Sequence, residues 1–107
     1  MAPSRTEMLL GFIRQRPDDP FPRYALAMEY KNAGRLDEAR QLFAELMETA
    51  PSYTATYLHA GNLFVALGDP TQARSVYEAG IAACTRAADA HTRGEIEGAL
   101  AALPPPR

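Results

Sequence analysis

The sequence holds a single cysteine, Cys84, and no tryptophan. One thiol cannot close an intramolecular disulfide, and it is compatible with a reducing compartment. Valine is nearly absent, with Val65 and Val76 its only occurrences, while alanine, leucine, glutamate and arginine abound, a balance that favours helix over sheet. A surplus of one charge is missing as well. The formal net charge is -2, and the basic residues run from Arg5 to Arg107 without a cluster. That lacks the electrostatic footprint of a phosphate-backbone binder, so no nucleic acid is expected as a partner. Lys31 is the one lysine beside ten arginines, which with the alanine content suits a GC-rich bacterial genome and says nothing of function.

No stretch approaches the length of a membrane span. Residues 1–11 lack the charged start, long apolar run and small-residue cleavage site of a signal peptide. The expectation is a soluble, cytoplasmic chain with no membrane partner. His59 and His91 are the only histidines and stand far from the paired spacings of a zinc site. Gly94 and Gly98 are isolated, so there is no glycine-rich phosphate loop. Catalysis by Cys84 with His91 would need both to meet beside an oxyanion donor, and nothing in the sequence argues for that. Cys84 reads instead as a small buried apolar residue. Asp18, Asp19, Asp37, Glu38, Glu45, Glu48, Glu95 and Glu97 fall at helix starts or on outer faces, where solvation and the helix dipole account for them. No catalytic residue, cofactor or metal is expected.

What the chain does contain is a repeat. Its 107 residues allow one domain with a modest core. Displaced by 34 residues, the sequence matches itself: Gly34 falls on Gly68, Ala39 on Ala73, Arg40 on Arg74, Tyr30 on Phe64, Leu42 on Val76, Phe43 on Tyr77 and Met47 on Ile81. The same step carries Pro17 to Pro51. Each match suits a helix, turn, helix unit. Gly34 and Gly68 close a first helix in a positive-φ conformation, and Asp69 and Pro70 open the second as N-cap and first-turn residue. Ala39 and Ala73 are small where two helices cross, Phe43 and Tyr77 fill the space against Tyr30 and Phe64, and Pro51 stops the second helix.

This order of small residue, aromatic, glycine, alanine, aromatic and proline resembles the tetratricopeptide repeat. Here it reads Ala27, Tyr30, Gly34, Ala39, Phe43, Pro51, then Gly61, Phe64, Gly68, Ala73, Tyr77. The first repeat, 20–53, has Arg23 where the family carries a large aromatic. The second, 54–87, has Tyr57 there but departs from the pattern at Gly80 and Thr85. Residues 4–16 form a capping helix, with Ser4 and Glu7 as a capping box and Met8, Leu9, Phe12 and Ile13 on one face. Residues 88–103 form a second cap through Ile96, Leu100 and Leu103, and Pro104 to Arg107 follow as a disordered tail. The expected architecture is an all-α, tetratricopeptide-like stack of about six antiparallel helices in one domain, 1–103. The helices are placed at 4–16, 20–33, 37–49, 54–67, 71–86 and 88–102.

The resemblance implies a small bacterial two-repeat protein and a concave groove lined by the first helix of each repeat, where the family binds extended peptides or helices. Carried over by position, the groove comprises Phe21, Tyr24, Met28 and Lys31, then Leu58, His59, Asn62 and Val65. Tyr24 and Met28 stand where a chaperone-binding carboxylate clamp needs lysine and asparagine, so apolar burial oriented by Lys31, His59 and Asn62 is expected instead. The same side chains equally suit packing against the terminal helices. The implied function is a non-enzymatic adaptor or scaffold that holds a peptide or helix of another protein. The alternative is a structural homodimer built on the same apolar stripe.

Overall fold

The computed structural model describes residues 3–106, so expectations placed on Met1, Ala2 and Arg107 lie outside the described residues. Six helices account for most of them: α1 Arg5–Gln15, α2 Pro20–Asn32, α3 Leu36–Thr49, α4 Ala55–Ala66, α5 Pro70–Ala87 and α6 Ala90–Ala101. Every boundary falls within two residues of its expected place, and no strand occurs among the described residues.

Local chemistry sets the starts. Ser4 Oγ accepts the Glu7 amide at 3.1 Å, Asp69 Oδ1 the Gln72 amide at 3.1 Å, and Asp89 Oδ1 the Thr92 amide at 3.1 Å. Each satisfies an amide that has no partner within its own helix. Asp19 Oδ1 accepts from Phe21 N at 3.0 Å just ahead of α2, which begins on Pro20. α3 has no side-chain cap, and there Arg35 ion-pairs with Glu38 and lies 4.5 Å from the centre of the Tyr30 ring.

Three turns share one geometry. Gly34 and Gly68 have φ of 78° and 75°, and the next amide reaches back to close each helix: Arg35 N to Tyr30 O at 2.8 Å, Asp69 N to Phe64 O at 2.9 Å. The third follows α5, where Asp89 N bonds Cys84 O at 2.9 Å and Ala88, not a glycine, takes φ of 55°. Thr85 stands one period after Pro51 and cannot stop a helix as proline does. Its hydroxyl donates to Ile81 O at 2.9 Å and α5 runs on to Ala87.

The chain divides into two compact units, Met1–Ala50 and Pro51–Arg107. In the first, α1 packs on α2 and α2 on α3. Leu9, Ala25 and Leu26 form a buried cluster, with Ile13, Tyr30 and Leu42 packed against it. Ala27, Ala39, Phe43 and Leu46 are also buried. The apolar face expected of α1 is divided: Leu9 and Ile13 turn to the core, whereas Met8 and Phe12 remain 47% and 46% exposed.

In the second unit, α5 packs on α4, and α6 packs on both. A Cβ on Gly61 would land within the ring of Tyr77, so the missing side chain admits that aromatic against α4. Gly80 departs from the family pattern for a similar reason: a Cβ there would come within 2.5 Å of Tyr57 Cβ and 2.9 Å of Ile96 Cδ1. Ile96 is fully buried, and Pro104, three residues beyond the end of α6, accepts a hydrogen bond from Arg74 at 2.7 Å through its carbonyl.

Candidate interaction faces

On α2, Phe21, Tyr24, Met28 and Lys31 recur at steps of three and four and so share one helix face. Phe21 is 56% exposed, and the other three are half-buried. On α4, Leu58, Asn62 and Val65 recur in the same way with His59 beside them; Val65 is 47% exposed and the rest half-buried. The first four therefore sit together on one unit and the second four on the other.

The polar members differ. Lys31 forms no ion pair among the described residues, which leaves its ammonium available to an acidic group. Asn62 is engaged: the Tyr77 hydroxyl donates to its Oδ1 at 2.5 Å. Burial pushes the Tyr77 phenol above its ordinary pKa, so it stays protonated and remains a donor. Gly61 admits the Tyr77 ring and Asn62 takes its hydroxyl, so two neighbouring residues of α4 fix one side chain of α5.

Sequence reading missed what Arg23 does. Its Nη1 donates to Pro17 O at 2.5 Å and its Nε lies 3.3 Å from Glu45. Tyr57, one period later, donates its hydroxyl to Pro51 O at 2.7 Å. The signal was present, since the 34-residue step superposes both the prolines and the two donors, but it is concealed by the change of residue type. Beside each bond lies a small indentation. The first, about 230 Å³, is lined by Pro17, Asp18, Arg23, Glu45 and Thr49, and the second, about 170 Å³, by Pro51, Ser52, Ala83 and Arg86. Both fall short of the roughly 300–1,000 Å³ of small-molecule pockets.

Cys84 is buried, and burial, then Asp89, pushes its thiol above the ordinary value, with Arg93 opposing. Such a thiol is a poor nucleophile. Asp89 is held below the usual carboxylate value, first by the Thr54 hydroxyl at 2.6 Å and then by its bonds to Thr92. His91 is exposed and lies 3.4 Å from Glu95 on its own helix. Among the described residues, no three histidine, cysteine or acidic side chains converge as a metal site would require, and no helix is long and apolar enough to cross a membrane.

Comparison with known proteins identifies the family. Residues 31–103 match the family model described as tetratricopeptide repeat. A tetratricopeptide repeat domain protein from Salinibacter ruber, known as a crystal structure, is 36% identical over 78% of this chain and 92% of its own, with a TM-score of 0.74. A protein from Bordetella parapertussis, known in solution, is 24% identical over 94% of this chain and 87% of its own, with a TM-score of 0.79, and so shares the fold. No curated protein matches the chain.

Proposed function

Because the chain belongs to the tetratricopeptide repeat family, we propose that it is a non-enzymatic interaction module that holds a peptide or helix of another protein on the first helix of each repeat. The observation that carries this reading is the Phe21, Tyr24, Met28, Lys31 face of α2. It combines a phenylalanine left 56% exposed, two half-buried large apolar side chains and an ammonium without an ion-pair partner among the described residues. Aromatic and Met side chains are enriched at protein interfaces, and a lone cation at the rim orients an acidic ligand without dominating its affinity. Leu58, His59, Asn62 and Val65 offer the corresponding face on α4, with the Asn62 amide already oriented by Tyr77.

A display library of random peptides, panned in parallel on the wild type and on a Phe21→Asp, Val65→Asp double variant, tests the reading. Sequences enriched on the wild type are expected to combine apolar residues with a carboxylate. Each should lose binding on the double variant by about tenfold or more, the effect of removing ~1.4 kcal/mol of contact. Enriched peptides that bind both proteins equally would overturn these faces as the site.

A further inference from the structure

Gly94 and Gly98 sit inside α6 without a packing reason, since a Cβ at either would meet nothing within 4 Å. Both therefore weaken the helix with nothing gained in return. A helix of 12 residues is marginal by itself, so α6 persists through what it touches. Among the described residues Ile96 is its one buried side chain, and Leu100 and Leu103 are only half-buried. On α5, by contrast, a buried stripe runs from Ala73 to Cys84.

Polar clasps hold α6 at both ends. At its start the Thr54 hydroxyl donates to Asp89 Oδ2 at 2.6 Å, and Arg93 donates to the Thr85 hydroxyl at 3.2 Å. Beyond its end Arg74 donates to the Pro104 carbonyl at 2.7 Å. Between the clasps Ile96 fills the notch that Gly80 leaves beside Tyr57. Only Ala88 and Asp89 join α6 to α5, and Ala88 carries the strain of φ at 55°. Cys84 lies one turn beyond Gly80 on α5; it is 1% exposed, and its thiol feels the charges of both Asp89 and Arg93. We infer that α6 is a lid, which opens as a unit about Ala88 while α4 and α5 stay packed, uncovering the Gly80 notch and Cys84. Elements with few buried apolar contacts are the ones that open below the global unfolding free energy. Ile96 is the occupant of the notch in the closed form, so opening exposes an apolar surface that the closed form keeps from other chains.

The lid does not depend on peptide binding by the α2 and α4 faces. Maleimide labelling of Cys84 along a urea series, followed by mass spectrometry, tests it. Well below the unfolding midpoint the wild-type rate should be nearly independent of urea, because opening one helix exposes little surface, and it should climb steeply only near the global transition. The Thr54 hydroxyl makes no capping bond to α4, so Thr54→Val removes the clasp alone and should speed labelling in the flat region by about fivefold, with Arg74→Ala about twofold faster. Gly94→Ala combined with Gly98→Ala should slow it by about tenfold. Amide hydrogen exchange should show the faster opening of Thr54→Val in α6 and unchanged protection in the middle of α4. Labelling that follows the global unfolding constant at every urea concentration overturns the inference. So does a flat-region rate that the clasp and glycine variants leave unchanged, or an exchange increase spread evenly over α4, α5 and α6.

Discussion

Arg23 and Tyr57, 34 residues apart and chemically unlike, make the same hydrogen bond, each to the carbonyl of a proline six residues earlier. The repeat thus preserves an interaction across a change of residue. A phenol reaches the Pro51 carbonyl from a largely buried ring, whereas a guanidinium reaches the Pro17 carbonyl along a flexible stem and holds Glu45 with a second nitrogen.

Tyr57→Phe should therefore destabilise the chain by about 1 kcal/mol, the net worth of one hydrogen bond, without changing its helical content. Arg23→Ala should destabilise it too, and Arg23→Tyr should recover the loss, because the second repeat shows that a phenol fits this role. Urea denaturation of the three variants checks the order. An Arg23→Tyr protein no more stable than Arg23→Ala would mean that the two carbonyls are not equivalent.

Glycines at two places should respond oppositely to the same change. Gly61→Ala drives a methyl into the Tyr77 ring and should cost about 1–3 kcal/mol as an overpacked core. Trimming the ring should relieve part of that cost, so Gly61→Ala with Tyr77→Leu should be less destabilised than the sum of the single changes. Gly94→Ala meets nothing within 4 Å and should stabilise α6 by about 0.5–1 kcal/mol. Thermal melts distinguish the two, and a harmless Gly61→Ala would contradict the close approach of Tyr77 to α4.

The helices were legible because their boundaries are written in a few residues whose chemistry leaves little choice. Gly34 and Gly68 take positive φ, Ser4 and Asp69 cap, and Pro17 and Pro51 follow helix ends. The end of α5 was harder to read, since Ala88 occupies a left-handed position with no glycine to announce it. The face of α1 was misjudged for a different reason. Met8, Leu9, Phe12 and Ile13 satisfy helical spacing as a group, yet an arc that wide exceeds what one neighbouring helix covers, and only Leu9 and Ile13 are enclosed. Gly80 seemed a departure from the family until Tyr57 and Ile96 gave it a steric reason. On the interaction faces, spacing alone could group the eight residues but could not reveal that Asn62 is already bound by Tyr77.

Ala88→Gly should stabilise the chain. An L-residue in the left-handed region costs roughly 1–2 kcal/mol, glycine removes that cost, and the greater freedom of glycine in the unfolded chain returns part of the gain. A net rise of about 0.5–1 kcal/mol is expected in denaturant titrations, with no change in the slope. A loss of stability would show that the Ala88 methyl makes a contact worth more than the strain it carries.

Asp89 links the end of α5 to the start of α4 by accepting from Thr54 while capping α6, and these bonds hold its folded pKa below the ordinary 3.8. A depressed carboxylate contributes stability that is present above the unfolded value and is lost as pH falls through the folded one. Asp89→Ala should thus lower the Tm at pH 7, and the gap to the wild type should stay constant down to about pH 5 and close progressively below the unfolded value, where protonation removes the carboxylate's advantage in the wild type as well. Thr54→Val should reproduce part of the loss at pH 7 while leaving the α6 cap in place. A gap between wild type and Asp89→Ala that does not narrow at low pH would mean that Asp89 acts through packing, and that its charge contributes nothing to holding α4 and α6 together.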